Sequence, residues 1–313
     1  MPELTDDAAK YYPPEIWEKL RPSLLDIEGQ LLSDMDACGI ETTVLSLSSP
    51  GIQAIPSRQK AIDAARLAND FLAAQVAKRP HRFQGFAALP LQDPDAASEE
   101  LTRCIKELGF KGVMVNGFSQ IDREDFIAYY DQPQYWPFWG VVEQLNVPFY
   151  LHPRYPLEER TDVKGHPWLK GSVWSFGVET ATHALRLLTC GLFDKYPRLK
   201  IILGHLGETI PNAIWRIDHR IQAIPRGIPA KRKMAEYLLA NVYVTTSGNF
   251  CTQTLMNTML VVGSDRILFA ADYPFEKLRH AAEWFDRLDS ISETDWMKIA
   301  RTNAEKLLKL QAS

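Results

Sequence analysis

Three short apolar runs in the chain each lead into a side chain that can bind a metal ion or move a proton. They are PFYLHP (148–153) with His152, KIILGHLGE (200–208) with His205 and Glu208, and RILFAADYPFE (266–276) with Asp272. Each run has the length of a buried strand and is followed by Pro or Gly. In a parallel α/β barrel, catalytic side chains lie at the C-terminal ends of the strands. The three runs therefore predict one site at the mouth of a barrel.

The residue types at these strand ends allow metal or acid–base chemistry. The imidazole of His152 is a ligand for Zn, Mn or Fe, although a strand-end histidine can also simply bond to a backbone carbonyl. Asp272 is a candidate metal ligand or proton donor. Burial of its carboxyl group would raise the pKa towards neutrality unless a metal opposes it. As a purely structural residue, Asp272 would cap the next turn.

His205 and Glu208 are three residues apart in GHLGE. If Gly207 opens the following helix, the two side chains face each other across the turn, and Glu208 fixes the tautomer of the imidazole. A capping glutamate and an unrelated loop histidine is the alternative. His183 has no motif around it and is interpreted as structural.

Three further residues are candidates for contact with a substrate. Asn116 ends GVMVNG and offers a hydrogen bond to a hydroxyl group. Arg216, in WRIDHR, is suited to a carboxylate because a guanidinium binds carboxylates bidentately, but it could equally pair with Asp218 or with a neighbouring subunit. Phe275 could line an aryl pocket or belong to the core.

Strand-like and helical segments alternate through most of the chain. The predicted strands are 42–48, 83–89, 112–117, 148–153, 200–205, 242–247 and 266–271, and the predicted helices are 22–38, 61–80, 93–109 and 179–197. This order favours a parallel sheet covered by helices, in one domain over 1–313. Polar strand ends scattered along the chain favour a barrel over an open sheet, and no GxGxxG motif supports a nucleotide-binding sheet. Only seven strands are found, and none precedes the first helix.

Composition excludes several classes of partner. The 313 residues carry a net charge of −4, which gives no electrostatic reason to expect nucleic acid or an anionic membrane as a partner. No apolar run reaches the roughly 18 residues of a membrane span, and the acidic N-terminus is unlike a signal peptide. Four widely spaced cysteines are expected to be free thiols in a reducing compartment. We therefore expect a cytoplasmic protein.

Several segments, in order along the chain, resemble one branch of a known superfamily. They are the run from 85 to 120, YYDQPQYWPFW, NVPFYLHP, the run from 183 to 208, WRIDHR, TTSGNFCTQTL and SDRILFAADYPFE. The chain is similar over nearly its whole length to the decarboxylases of the amidohydrolase superfamily. These include the aminocarboxymuconate semialdehyde, 2,3-dihydroxybenzoate, salicylate and γ-resorcylate decarboxylases. VNGFSQ, QYWPFW and HALRL are most similar to the γ-resorcylate group.

This resemblance implies an (α/β)8 barrel of the TIM type and one divalent metal ion, Mn²⁺ or Zn²⁺ with Mg²⁺ possible. It implies reversible, non-oxidative loss of CO2 from an ortho-hydroxybenzoate such as 2,6-dihydroxybenzoate, 2,3-dihydroxybenzoate or salicylate. By motif, His152 and Asp272 correspond to metal ligands, and Asp272 also to the proton donor. His205 with Glu208 corresponds to the catalytic pair that orients substrate or relays protons. A homo-oligomer, dimer or tetramer, is also expected, with WPFW and WRIDHR at its interface.

The chain departs from this family at its beginning. Members start with a strand of the form ALEExF, where x is His or Ala, whose end supplies further metal ligands. Here the sequence begins where that strand should finish, either through a misplaced start or through a true truncation. We therefore expect a barrel with its first strand missing and about two protein ligands, fewer than the three usual in catalytic zinc sites. An inactive relative, and a metal-dependent lactone or amide hydrolase, remain the alternatives to a decarboxylase.

Overall fold

A computed structural model describes residue 9 and residues 12–157 and 163–310 of the chain. The strands are β1 (Thr43–Leu45), β2 (Phe83–Ala87), β3 (Gly112–Asn116), β4 (Ser119–Gln120), β5 (Ile127–Ala128), β6 (Pro148–His152), β7 (Lys200–Leu203), β8 (Val242–Thr245) and β9 (Ile267–Leu268). The longer helices are α1 (Pro14–Leu25), α2 (Gln30–Ala37), α3 (Arg58–Lys78), α4 (Pro94–Lys106), α5 (Trp136–Leu145), α6 (Ser175–Thr189), α7 (Leu192–Lys195), α8 (Ile210–Ala223), α9 (Met234–Asn241), α10 (Thr252–Val262), α11 (Leu278–Asp286), α12 (Glu293–Met297) and α13 (Asn303–Leu308).

Seven parallel strands form one curled sheet in the order β1-β2-β3-β6-β7-β8-β9, and β4 and β5 form a separate antiparallel pair. All seven predicted strands are present, and the prediction of a barrel-type α/β fold is confirmed. Strand residues that point inwards form one apolar cluster, and every strand of the large sheet contributes to it. Its members include Val44, Phe86, Met114, Tyr150, Ile202, Tyr243 and Leu268. The inside of the sheet is thus a filled core, as expected for this architecture.

The first and last strands of the sheet are bridged by side chains from the first part of the chain. In the described residues, β1 and β9 do not pair with each other. Helix α2 covers this region, because Leu31, Leu32 and Met35 pack in one cluster with Phe83 of β2 and Ala271 after β9. An ion pair of 3.3 Å between Arg301 and Glu41 crosses the same region.

Two predicted helices are each divided in the structure. The helix predicted over 22–38 is instead α1 and α2, separated where the Asp26 carboxylate accepts hydrogen bonds of 2.7 Å from the backbone N–H groups of Gly29 and Gln30. This side chain competes with helical hydrogen bonding. The helix predicted over 179–197 is α6 and α7, which Gly191 separates with a φ of 85° that a helix does not allow.

The prediction that WPFW forms part of a subunit interface is wrong for two of its residues. Phe138 and Trp139 are fully buried in the outer core, and the indole N–H of Trp139 donates to the carbonyl oxygen of Tyr130 at 2.8 Å. The run begins α5, whose apolar face packs against α4. The aromatic residues Phe138 and Trp139 therefore belong to the hydrophobic core.

His183 of α6 is fully buried, and its Nε2 accepts a hydrogen bond of 3.1 Å from the backbone N–H of Tyr130. Burial, with the nearby charge of Arg186, lowers the pKa of His183 to about 3. The unfolded chain, with a histidine pKa of about 6.5, therefore binds more protons than the folded chain below that pH. The stabilisation from a neutral His183 is complete above about pH 6.5 and is lost as the pH falls towards 3.

We expect His183→Gln to weaken the acid sensitivity of folding, because Gln can accept the same hydrogen bond but does not titrate. Urea unfolding between pH 7 and pH 4 should show a slope shallower by up to about 1.4 kcal/mol per pH unit. His219→Gln is the matched control, since His219 is exposed on α8. An identical pH slope in the parent and the His183 variant would contradict this assignment.

Candidate active site at the strand ends

Four of the predicted site residues, Asn116, His152, His205 and Asp272, come together at the C-terminal ends of the strands. Asn116 and His152 are register partners at the ends of β3 and β6. The rings of His152 and His205 lie 6.4 Å apart between centroids, and His205 Nε2 lies 3.8 Å from Asp272 Oδ2. The sheet therefore gathers side chains from residues 116 to 272 at one mouth, as the strand ends predicted.

A left-handed turn follows β7 and holds His205 against Glu208. All five residues from 205 to 209 have φ between 51° and 86°, and only Gly207 among them lacks a side chain. Positive φ values are energetically costly for residues other than glycine, and residues that adopt them cluster at functional sites. The turn folds Glu208 back, so that its Oε1 lies 2.6 Å from His205 Nδ1. The predicted facing pair is present, but α8 begins at Ile210 rather than at Gly207.

The carboxylates around His205 favour its protonated form. Burial alone would lower the pKa of His205, but the charges of Glu208 and Asp272 outweigh burial and raise the pKa to about 10. Glu208 is itself only 5% exposed. At neutral pH the pair therefore holds a proton on the imidazole ring, between two carboxylates.

Asp272 differs from its expected protonation state. Burial acts to raise its pKa, as the sequence suggested, but the neighbouring His205 and His152 rings outweigh burial and lower the pKa. In the protein alone, Asp272 is thus ionised near neutral pH, and the proton belongs to His205. The backbone of Asp272 is also left-handed, with a φ of 68°.

His152 is a neutral imidazole in a buried position. Burial lowers its pKa further than the nearby carboxylate of Asp272 raises it. Its Nδ1 has no hydrogen-bond partner among the described residues. A neutral imidazole beside an ionised carboxylate is a donor pair that suits a divalent metal ion.

Asn116 is 1% exposed, and its Nδ2 donates to the carbonyl oxygen of Leu47 at 3.3 Å. Its Oδ1 is buried and accepts no hydrogen bond from the described residues. A polar oxygen in this state is costly unless a ligand or water satisfies it.

Arg216 and Phe275 are less buried than the other predicted site residues. Arg216 is exposed on α8, and its side chain makes no hydrogen bond or ion pair in the described part of the chain. Asp218, its suggested partner, instead accepts hydrogen bonds of 2.6 and 3.0 Å from the N–H groups of Met234 and Ala235 at the start of α9. Phe275 lies three residues after Asp272 and is 37% exposed.

An aromatic residue from the first part of the chain also reaches the site. The ring of Tyr12 stacks on Phe275 at 6.1 Å and on Trp17 at 5.9 Å between centroids. Burial raises the pKa of Tyr12 to about 12, and the charges of Tyr155 and Asp272 act in the same direction. The sequence gives no sign of a role for Tyr12, because a tyrosine in a Pro-rich segment carries no periodic signal.

A metal site of three or more histidine, cysteine, aspartate or glutamate ligands is not found in the described residues. His152 and Asp272 provide two donors. The further ligands that the resemblance assigns to an ALEExF strand have no counterpart in the described ranges. The cysteines do not change this picture, since all four are free thiols, as predicted.

The chain belongs to the amidohydrolase family, whose model matches residues 46–310. It is 56% identical to a γ-resorcylate decarboxylase of Rhodococcus jostii, over 99% of this chain and 96% of that protein. The resemblance and the fold class predicted from the sequence are confirmed.

Solved structures give the same relationship. A crystal structure of 2,6-dihydroxybenzoate decarboxylase in complex with 2,6-dihydroxybenzoate matches with a TM-score of 0.96 and 56% identity, over 99% of this chain and 96% of that one. The dihydroxybenzoic acid decarboxylase of Polaromonas, with bound manganese and the inhibitor 2-nitroresorcinol, matches with a TM-score of 0.94 and 55% identity, over 100% and 94%.

Proposed function

We propose that the protein is a metal-dependent carboxy-lyase that removes CO2 from an ortho-hydroxybenzoate of the 2,6-dihydroxybenzoate type. The observation that carries this proposal is the convergence of His152, Asp272 and the His205–Glu208 pair at one mouth, in a chain 56% identical to named γ-resorcylate decarboxylases. The names of these relatives support a decarboxylase. They support neither a lactone or amide hydrolase nor an inactive relative.

A divalent cation would be held by His152 and Asp272. The neutral imidazole and the ionised carboxylate fit such an ion, and manganese in the Polaromonas relative supports Mn²⁺ over Zn²⁺ or Mg²⁺. When bound, the cation supplies Lewis-acid stabilisation of the negative charge on the substrate's carboxylate and phenolic oxygens.

His205 and Asp272 transfer one proton to the substrate. His205 is protonated below about pH 10, and its Nε2, which lies 3.8 Å from Asp272 Oδ2, can pass a proton to that carboxylate. Asp272 delivers it to the ring carbon that bears the carboxylate. The bond between that carbon and the carboxylate then breaks, its electron pair restores the aromatic ring, and CO2 leaves. Glu208 stabilises the imidazolium before transfer and holds the ring in place.

The remaining predicted residues are proposed to orient the substrate. The unsatisfied Oδ1 of Asn116 is suited to accept a hydrogen bond from a phenolic hydroxyl group. Phe275, stacked on Tyr12, would form an aromatic wall. Arg216, whose side chain is exposed on α8, is proposed to bind the substrate carboxylate.

Association of copies has one observation in its favour. Trp215 on α8 is 73% exposed and Leu260 on α10 is 84% exposed, and these two helices pack side by side. Exposed large apolar side chains on neighbouring helices are compatible with an interface between copies. A homo-oligomer, one domain over 1–313 and a cytoplasmic location are retained as proposals. In the described part of the chain, no helix is both long enough and apolar enough to cross a bilayer.

Product analysis tests the proposed reaction. Protein loaded with Mn²⁺ is expected to convert 2,6-dihydroxybenzoate into equimolar CO2 and 1,3-dihydroxybenzene. Removal of the metal by a chelator should reduce the rate at least about tenfold, and added Mn²⁺ should restore it. Salicylate and 2,3-dihydroxybenzoate, measured in parallel, define the ring pattern.

Two results would overturn this proposal. Opening of a lactone or amide substrate, with no CO2 from any hydroxybenzoate, would indicate a hydrolase. Binding of less than about a tenth of an equivalent of Mn²⁺ after loading, together with no turnover, would indicate an inactive relative.

A further inference from the structure

The segment Thr245–Asn249, with the sequence TTSGN, lies between the two loops that carry His205 and Asp272. It begins at the last residue of β8 and is buried through Thr245, Thr246 and Ser247, which are at most 4% exposed. Neither the proposed proton transfer nor the proposed metal site uses any of its side chains. Its hydrogen bonds nevertheless reach both loops.

On one side the segment holds the turn that carries His205. Ser247 Oγ accepts a hydrogen bond of 3.3 Å from the backbone N–H of His205, and the Thr245 carbonyl accepts one of 2.7 Å from the N–H of Leu206. Asn249 Nδ2 donates to the His205 carbonyl at 3.4 Å. Both backbone polar groups of His205 are therefore bound to this segment.

On the other side the segment holds the chain that leads to Asp272. Thr246 Oγ1 donates to the carbonyl oxygen of Ala270 at 2.9 Å and accepts from the N–H of Ala270 at 3.0 Å. The Thr246 N–H also donates to the Leu268 carbonyl at 3.0 Å. One hydroxyl group thus completes both hydrogen bonds of a backbone position two residues before Asp272.

Behind these contacts, a chain of hydroxyl groups fixes the orientation of Ser247. Thr245 Oγ1 lies 2.8 Å from Ser247 Oγ and 3.0 Å from the hydroxyl oxygen of Tyr150. Between the two loops lies Gly248, with a φ of 63°. A Cβ atom there would lie 3.1 Å from His205 Cδ2 and 3.5 Å from Asp272 Oδ2, so a side chain would press on His205 as well as adopt a strained φ.

We propose that Thr246 and Ser247 are positioning residues that set the distance between His205 and Asp272. The proposal rests on the proposed function, in which a proton passes across this 3.8 Å separation. Two side chains on loops after different strands need a common support to keep such a distance, and catalytic geometry tolerates errors of only about 0.5 Å. The segment supplies that support through backbone contacts to each loop.

Replacement of one hydroxyl group tests this role. Thr246→Val keeps the shape of the side chain but removes both bonds to Ala270. We expect kcat to fall about 10- to 100-fold with KM changed less than about threefold, and Thr246→Ser to restore most of kcat. Thr258→Val is the matched control, because Thr258 is fully buried in α10 and its hydroxyl has no partner among the described residues.

A fall in kcat of about fivefold or more in Thr246→Val, absent from Thr258→Val, supports the proposal, and any smaller fall overturns it. If Thr246→Val does not fold, Ser247→Ala decides by the same threshold.

A crystal structure of the variant gives an answer that does not depend on activity. The separation of His205 Nε2 and Asp272 Oδ2 should change by at least about 0.5 Å, and an unchanged separation overturns the proposal. An inactive parent protein would instead count against the proposed function alone.

Discussion

Asp272→Asn is expected to reduce CO2 release from 2,6-dihydroxybenzoate by about a thousandfold or more, while the protein stays folded. The amide cannot deliver a proton to the ring carbon, and it is a poorer ligand than a carboxylate for a divalent cation. The fold should tolerate the change, because Asn is nearly the same size and adopts left-handed backbone readily, as the φ of 68° at this position requires. Initial rates at saturating Mn²⁺, with circular dichroism as a check of folding, measure the effect.

Asp286→Asn is the matched control for this variant. Asp286 is exposed at the end of α11, so the same change of charge and size there should leave the rate unaltered. Retention of more than a few per cent of activity by Asp272→Asn would remove Asp272 as the acid, since general acid catalysis is typically worth about 10²- to 10⁴-fold.

Glu208→Gln should have the second-largest effect, a fall in kcat of about a hundredfold. The variant loses the charge that stabilises protonated His205 across the 2.6 Å contact. Burial, which lowers the pKa of His205, is then opposed by Asp272 alone, so the pKa must fall from about 10. The protonated form is present below the pKa, and the alkaline limb of the pH–rate profile should therefore move to lower pH.

The rate and the pH profile, measured together, distinguish loss of the Glu208 charge from misfolding of the variant. Glu236→Gln, at an exposed position on α9, should change neither quantity. A Glu208→Gln enzyme with reduced kcat but an unmoved alkaline limb would show that Glu208 does not act through the charge of His205.

The strands and most of the site could be predicted because their signals are local. Apolar runs such as those before His152 and Asp272 have the length and composition of buried strands, and the barrel rule places their ends together. The same rule does not predict the protonation states of the site residues, which depend on the charges around each group. The sequence predicts for Asp272 a pKa raised by burial unless a metal opposes it, whereas the two imidazoles beside it lower the pKa.

Other features could not be read from the residues because they depend on contacts between distant segments. Thr246 and Ser247 look like ordinary turn residues after a strand, and only the fold brings them against Ala270 and His205. The left-handed turn after β7 has only one glycine among its five residues, so the conformational propensities of these residues do not predict it. The sequence places WPFW at a subunit interface, whereas Trp139 is fully buried because α5, in which it lies, packs against α4.

The backbone conformation of residues 205–209 also limits which substitutions can make this protein more stable. Four side-chain-bearing residues there adopt a conformation that each would avoid in isolation, and Thr209, which is β-branched, does so at a φ of 69°. The rest of the fold must hold this turn in place against its own preference. Selection for heat resistance would thus favour glycine or asparagine at these positions. At Leu206 and Thr209 such a change would stabilise the turn and keep the contact between Glu208 and His205, whereas at His205 and Glu208 it would stabilise the turn only by removing a catalytic side chain.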